Sequence, residues 1–152
     1  MTQRHWIAIA TLGSAALMLG ALGFQYLGGF HPCKMCYWQR YPHVIAVVIG
    51  AIALWMPNRL LILAGALSAA TTGAFGVYHA GVEWKWWEGP TTCTSGDISG
   101  LSTDALLDQI MSAPLTRCDD IVWQLAGLSM AGWNAVISFV LVGCWLMALR
   151  RA

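Results

Sequence analysis

The residues best suited to chemistry in this sequence are its five cysteines, at positions 33, 36, 93, 118 and 144. Cys33 and Cys36 have the two-residue spacer of exchangeable redox disulfides, and a bridge between them would close too short a loop to stabilise the chain much. Cys93 and Cys118 would close a loop of about 25 residues, for which a structural disulfide contributing about 3 kcal/mol is the simplest interpretation. A zinc site formed by these four cysteines is a third alternative.

The elements that must position these cysteines are predicted by the composition. Hydrophobic residues make up 58% of the chain and charged residues only 10%, whereas soluble domains carry about 25% charged residues. A helix needs about 20 predominantly apolar residues to cross hydrocarbon, and apolar runs occupy residues 6–27, 41–56, 60–80 and 128–149. We therefore expect an all-α membrane protein, a four-helix transmembrane bundle that forms one domain over residues 1–152. The first run is too long for a typical signal peptide, so we expect it to be retained.

The distribution of charge predicts the orientation of the bundle. The arginines at both chain ends and in the turn between the second and third runs are Arg4, Arg59, Arg150 and Arg151. All seven acidic residues lie between the third and fourth runs. By the positive-inside rule, the termini are cytoplasmic and the loops at 28–40 and 81–127 are exported. The net charge of +1 gives no support for nucleic-acid binding.

The longer exported loop contains two stretches with helical patterns. Ser102 precedes a segment over 103–111 whose apolar positions 106, 107, 110 and 111 share one face, which predicts a short helix lying on the membrane surface or against other loop residues. A second short helix is expected over 119–125, where acids occupy the first turn. The threonines, serine and glycine around Cys93 predict a flexible, exposed segment.

Arg40 follows Cys36 by four residues, so the two share a face if the second helix begins near Cys36. A helix N-terminus and a nearby guanidinium both lower the pKa of a thiol. The alternative for Arg40 is an anchor that reaches the lipid headgroups. A thiolate at the membrane boundary could transfer electrons to a lipid-soluble acceptor, and because the sequence carries no nucleotide or flavin motif, quinone is the candidate.

The histidines and the remaining cysteine have less specific interpretations. His79 lies at the exported end of the third run, where it could donate a hydrogen bond to a quinone carbonyl or pair with Glu83 four residues later. His43 is expected at the membrane interface. Cys144 lies in the middle of the fourth run and is expected to be a packing residue.

Several separate sequence blocks occur in one order along the chain. They are Pro-Cys-Lys-Met-Cys at 32–36 with Gln39-Arg40, Tyr-His-Ala-Gly-Val-Glu at 78–83, Trp-Glu-Gly-Pro at 87–90 running to Cys93, Arg-Cys-Asp at 117–119 followed by Trp123, and Gly-Leu-Ser-Met-Ala-Gly-Trp-Asn at 127–134. With these blocks the whole chain resembles the DsbB family of bacterial disulfide bond formation proteins. The resemblance implies a multi-pass enzyme of the bacterial inner membrane that reoxidises the periplasmic thioredoxin-fold oxidase DsbA and reduces ubiquinone, or menaquinone, without a metal.

The resemblance also implies an order of events at the four exported cysteines. Reduced DsbA would attack Cys93 to form a mixed disulfide, Cys118 would be released, and exchange with Cys33 would free Cys36. Cys36 would then contact the quinone.

Two further residues receive roles from the same resemblance. Arg40 would stabilise the charge on the thiolate and on the reduced quinone, and His79 would lie on the quinone side. One alternative is a non-enzymatic membrane scaffold with two structural disulfides. Another is a related membrane oxidase that serves a dedicated partner, or, as a second activity, a vitamin K epoxide reductase-like enzyme. The position of the C-x-x-C at the start of the second run weighs against that second activity.

Overall fold

The computed structural model describes residues 1–91, 93–94, 102–112 and 116–151. It contains four long helices and, between the third and the last of them, one short helix and a two-stranded hairpin. The elements are α1 (Gln3–Tyr26), α2 (Lys34–Trp55), α3 (Arg59–Glu83), α4 (Thr103–Ser112), β1 (Gln124–Leu125), β2 (Leu128–Ser129) and α5 (Met130–Leu149).

Local side chains determine where α2 begins and where α3 follows it. Cys33 is the N-cap of α2, and its sulfur accepts a hydrogen bond from the backbone N–H of Cys36 at 3.3 Å. The helix therefore begins before residue 41, the first residue of the expected second span. It ends at Trp55 because Pro57 follows. Asn58 then caps α3 by accepting a hydrogen bond from the N–H of Leu60.

Within the described part of the chain, three helices are long and apolar enough to cross a membrane: Gln3–Tyr26, Arg59–Glu83 and Met130–Leu149. The helix α2 spans 22 residues, but its first turns carry Lys34, Gln39 and Arg40, which lower its mean hydropathy. The expectation of a mostly helical protein with membrane-spanning helices is thus confirmed in this form. The crossing by α2, and with it the count of four spans, stays a prediction.

The helices α3 and α5 approach each other closely because small residues lie between them. A Cβ atom added to Gly76 would lie 2.9 Å from the backbone oxygen of Ala131 and from the backbone nitrogen of Ala135. Such small residues let helix backbones come into contact in membrane proteins. Farther along the bundle, Trp145 is fully buried in an apolar cluster that also contains Cys144.

The proline inside α2 lies where α3 supplies hydrogen bonds to α2. Pro42 has no N–H and interrupts the backbone hydrogen bonds of the helix. Two hydroxyl groups of α3 donate to carbonyl oxygens of this region: Ser68 to Pro42 and Thr72 to Gln39, each at 2.8 Å. These bonds join α2 and α3 in the interior of the bundle.

The two helical predictions for the long loop have different outcomes. The first helix is present as α4, beginning one residue after Ser102, although the side chains at 106 and 110 lie outside the described residues. Its place on a membrane surface stays a prediction. The second, over 119–125, is wrong because Ala126 and Gly127 have φ values of +52° and +80° and form a tight hairpin turn that pairs Gln124 with Ser129. Residues 128 and 129, expected in the last helix, are therefore a strand.

Candidate functional site

The structure brings Cys33, Cys36, Cys93 and Cys118 together at one end of α2 and α3. Cys33, Cys93 and Cys118 are buried in one apolar cluster with Met35, and partly buried Cys36 packs against it. Cys144 belongs to a different cluster, formed by α1, α2, α3 and α5. The four sulfurs of the proposed relay are thus neighbours, although two of them come from a loop far along the chain.

The two cysteine pairs are in different states. Cys93 and Cys118 form a disulfide with Cα atoms 5.4 Å apart, and the N–H of Cys118 donates to the carbonyl of Cys93 at 2.7 Å. Cys33 and Cys36 are thiols whose sulfurs lie 2.9 Å apart. Because the loop sulfurs are bonded to each other, this arrangement is not a four-cysteine zinc site.

The expected exposure of Cys93 is wrong. Its side chain is 1% exposed and Cys118 is fully buried. A disulfide is apolar, and this one packs against Met35 and Val82. Among the polar residues near Cys93 in sequence, Thr91 is exposed, and residues 92 and 95–100 lie outside the described residues. A protein thiol can reach the Cys93 sulfur only after this segment has moved away from the bundle.

His79 lies between the two cysteine pairs. Its Nε2 atom is 3.1 Å from the carbonyl oxygen of Cys118 and 3.6 Å from the sulfur of Cys33. On the other side of the ring, Nδ1 is 2.8 Å from the amide nitrogen of Gln39. The alternative partner Glu83 is farther away, at 3.9 Å from Nε2.

The carboxylate of Glu83 has another partner. It accepts a hydrogen bond from the hydroxyl of Ser129, the N-cap of α5, and both residues are buried. This contact joins the end of α3 to the start of α5 beside the cysteine cluster.

Arg40 is attached to α1. Its guanidinium donates to the side-chain oxygen of Gln25 at 2.5 Å and to the carbonyl of Ala21 at 3.2 Å, and it lies over the ring of Tyr37 at 5.5 Å from the centroid. Partial burial and these contacts hold the cation on the same side of α2 as Cys36, since both line one cavity.

Cys36 precedes the expected second span, and its surroundings favour the thiolate. The hydrogen bond from the Cys33 thiol lowers the pKa of Cys36 most, burial opposes this shift, and the nearby Arg40 guanidinium lowers the pKa further. The same thiol–thiol hydrogen bond, together with burial, raises the pKa of Cys33. When the pair is reduced, Cys36 is therefore the thiol that ionises first, and Cys33 keeps its proton to higher pH.

A cavity of about 570 Å³ lies beside the cysteines and is lined by α1, α2 and α5, by His79 and Glu83 of α3, and by residues of the segment 116–125. Its walls are mainly apolar side chains, and its polar lining includes Gln39, Arg40, His43 and Asn134. Both cysteines of the C-x-x-C also line it. A cavity of this size with few polar groups suits a largely apolar ligand that carries a polar head.

Comparison with known proteins agrees with this site. The sequence model of the family described as "Disulfide bond formation protein DsbB" matches residues 3–148. The chain belongs to the DsbB family. Membership makes it a membrane protein of disulfide bond formation with disulfide oxidoreductase activity.

Individual DsbB relatives cover nearly the whole chain. "Disulfide bond formation protein B" of Verminephrobacter eiseniae is 30% identical over 97% of this chain and 86% of that protein. "Disulfide bond formation protein B 2" of Pseudomonas aeruginosa is 29% identical over 87% of this chain and 81% of that protein. No solved structure matches the chain.

The sequence interpretation missed a group of buried and partly buried polar residues in this DsbB protein. They are Gln39, His43, Thr72, Asn134 and Ser138. His43, expected at the membrane interface, is instead 2% exposed, with Nε2 2.9 Å from the side-chain oxygen of Asn134. The signal that could have found them is the spacing of four residues between Gln39 and His43 and between Asn134 and Ser138, since polar residues inside membrane helices face the bundle interior.

The described residues also contain one group that could hold a metal ion. The ligand atoms of Cys33, Cys36 and His79 all lie within 4.8 Å of one another. A metal on His79 would need an unprotonated Nε2, because Nδ1 is already occupied by Gln39.

Proposed function

We propose that this protein is a multi-pass enzyme of the bacterial inner membrane that reoxidises a periplasmic DsbA and transfers the electrons to membrane quinone. In this proposal α1, α2, α3 and α5 cross the bilayer, both termini are cytoplasmic, and the cysteine cluster lies at the periplasmic side. The observation that carries it is the packing of both cysteine pairs into one cluster beside a largely apolar cavity.

The chemistry of the four cysteines is thiol–disulfide exchange. A thiolate of reduced DsbA attacks the sulfur of Cys93, the bond to Cys118 breaks, and Cys118 leaves as a thiolate with the electron pair. Cys118 then attacks Cys33 in the Cys33–Cys36 disulfide, so that Cys36 leaves as a thiolate. The second DsbA thiol releases Cys93, which re-forms its bond to Cys118 and leaves Cys33 reduced.

The surroundings of the second pair fit its proposed role in quinone reduction. Cys36 and Arg40 line the cavity with apolar side chains of α1 and α5, which together offer a thiolate, a cation and a hydrophobic wall. When bound, ubiquinone or menaquinone would accept the two electrons released as the Cys33–Cys36 disulfide re-forms, together with two protons, one from the Cys33 thiol and one taken from water. Arg40 holds positive charge beside the Cys36 sulfur.

The test compares variants at Cys36 and Arg40 in quinone-dependent oxidation of reduced DsbA. Cys36→Ser should abolish turnover, and Arg40→Gln should lower kcat/KM for ubiquinone by about tenfold, which corresponds to about 1.4 kcal/mol of lost stabilisation. Arg59→Gln, which changes an exposed arginine at the first residue of α3, is the matched control and should behave as the wild type. Unchanged turnover in both the Cys36 and the Arg40 variant would contradict the proposal.

A separate experiment tests the role of the loop pair. In Cys118→Ala, Cys93 has lost its disulfide partner and is a free thiol. Mild oxidation together with a DsbA variant that keeps one cysteine of its redox pair, the other being changed to serine, should join that cysteine to Cys93, and this mixed disulfide should accumulate. The non-enzymatic scaffold predicts that no such adduct can be isolated. Cys144→Ala in the same background serves as the control and should leave the yield of adduct unchanged.

A further inference from the structure

A chain of polar side chains, buried except for the partly buried Asn134, extends from the cysteine cluster into the bundle. It runs from His79 to Gln39, then to Asn134, and from Asn134 to His43. Thr72 completes it by contacting both Gln39 and Asn134. These residues belong to α2, α3 and α5, so the chain crosses the interior of the helical bundle.

The orientation of Asn134 follows from its neighbours. Its amide nitrogen lies 2.9 Å from the side-chain oxygen of Gln39, 3.3 Å from the carbonyl of Thr72 and 3.2 Å from the hydroxyl of Thr72. A backbone carbonyl can only accept, and the Thr72 hydroxyl already donates its hydrogen to the Gln39 carbonyl. Asn134 is therefore the donor toward Gln39, and its oxygen faces Nε2 of His43.

The orientation of Gln39 follows in turn. Its side-chain oxygen accepts from Asn134, so its amide nitrogen faces the carbonyl of Met35 at 3.3 Å and Nδ1 of His79 at 2.8 Å. Because Gln39 donates to Nδ1, that nitrogen carries no hydrogen, and the neutral imidazole of His79 has its hydrogen on Nε2. This N–H points at the junction of the two cysteine pairs, where the nearest acceptor is the carbonyl of Cys118 at 3.1 Å.

We propose that Asn134 is a positioning residue for exchange between the two cysteine pairs: acting through Gln39, it holds His79 as the Nε2–H tautomer that binds the Cys118 carbonyl beside the Cys33 sulfur. This inference rests on the proposed function, because the step it concerns is attack of the Cys118 thiolate on Cys33. In that step the Cys33–Cys118 bond forms, the Cys33–Cys36 bond breaks, and Cys36 takes the electron pair. His79 gives up no proton; its N–H keeps the Cys118 backbone next to the sulfur under attack.

The other tautomer would act against the same step. With the hydrogen on Nδ1, a lone pair of Nε2 would face the carbonyl oxygen of Cys118, and two acceptors would repel each other at 3.1 Å. The Cys118 segment would then lose its contact with the ring. Since exchange requires the attacking sulfur to be aligned with the disulfide, and small misplacements of reacting groups are costly, we expect a loss of rate of about tenfold.

The first measurement is the tautomer itself, by ¹⁵N NMR of histidine-labelled protein in lipid bilayers, with the His79 signal identified by its loss in His79→Gln. Wild-type protein should show a hydrogen on Nε2 and none on Nδ1. Asn134→Leu removes the donor to Gln39 and should produce a mixture of tautomers. Ser138→Ala, a change one turn along α5 that leaves Gln39 untouched, should keep the wild-type signal. If the wild-type protein carries the hydrogen on Nδ1, the proposal is overturned. This result does not depend on whether any variant folds.

The second measurement is the rate of exchange without quinone. Oxidised protein is mixed with excess reduced DsbA, quenched in acid, and its new thiols are labelled, so that reduction of each pair is followed separately. In Asn134→Leu, reduction of Cys33–Cys36 should slow about tenfold while reaction at Cys93 keeps its wild-type rate. An unchanged exchange rate in a variant with mixed tautomers overturns the proposal. If even the wild-type Cys33–Cys36 pair is never reduced by DsbA, the proposed function fails instead, while the tautomer assignment still stands on the NMR result.

Discussion

The ion pair between Lys85 and Asp119 should control how often Cys93 becomes accessible. Lys85 Nζ donates to the Asp119 carboxylate at 2.6 Å and to the Asp119 carbonyl at 2.9 Å, which attaches the segment that carries Cys118 to the end of α3. Arg117 also binds Asp119, but it belongs to the same segment and does not attach it to the bundle. Hydrogen bonds from Arg117 and then Lys85 lower the pKa of Asp119, so the carboxylate is ionised at neutral pH.

The size of the effect follows from the exposure of the pair. The Lys85 side chain is 61% exposed, and exposed ion pairs contribute only about 0.5–1 kcal/mol. If reaction at Cys93 proceeds from an open state that closes again quickly, Lys85→Ala should raise the open population, and the rate of attack, by about two- to fivefold. Alanine is the right substitution because Lys85 has φ of +60°, and glycine would also change the backbone preference.

The assay measures reduction of the Cys93–Cys118 disulfide by subsaturating reduced DsbA and, separately, by dithiothreitol. Both reductants should react faster with Lys85→Ala, and Lys85→Arg should keep the wild-type rate. High salt should shrink the difference, because it screens the wild-type ion pair. If Lys85→Ala reacts no faster with either reductant, the ion pair does not limit access and the reasoning is refuted.

Three further predictions concern packing, the hairpin turn and the thiolate. Gly76→Ala should lower the free energy of unfolding by about 1–3 kcal/mol, because its Cβ would meet the backbone of α5 at 2.9 Å. A Cβ at Gly143 would have nothing within 4 Å, so Gly143→Ala should be neutral in the same denaturation assay. Ala126→Gly should stabilise the hairpin by about 0.5–1 kcal/mol, since its φ is positive; faster hydrogen exchange there would contradict this. Cys33→Ala removes the main cause of the lowered pKa of Cys36, so the midpoint of its alkylation rate should move to higher pH, and an unmoved midpoint would exclude this cause.

The ends of the long helices were predictable where the local signal is strong. A run of apolar residues long enough for hydrocarbon defines α1, α3 and α5 almost completely, and Pro57 marks the end of α2. The apolar run at 41–56 covers only the later part of α2. The start near Cys36 that the spacing of Cys36 and Arg40 suggested agrees with the helix, which Cys33 caps through its sulfur. The hairpin was missed because an alanine rarely adopts the positive φ that Ala126 has.

The cysteines of the candidate site could be selected from the sequence, but their packing could not. The two-residue spacer and the expected exported location indicated that Cys33 and Cys36 form a redox pair. The family resemblance indicated that Cys93 and Cys118 form the second pair of the relay. Polar neighbours suggested that Cys93 is exposed, but burial depends on how the loop folds back over α2 and α3, which local composition does not encode. The contacts of His79 likewise depend on which faces of three helices meet.

The isolation of Cys144 has a consequence for every count of thiols in this protein. It is buried with Trp145 in the other apolar cluster, and it has no sulfur partner among the described cysteines. Each redox pair releases two thiols on reduction, and Cys144 always adds one. Denatured protein should therefore show an odd number of labelled thiols in every oxidation state of the two pairs. In the wild-type chain an even number therefore identifies a modified Cys144 or a sulfur bound to another molecule. In Cys118→Ala, which has one cysteine fewer, the parity is reversed, and an odd number of thiols on this chain marks the trapped mixed disulfide.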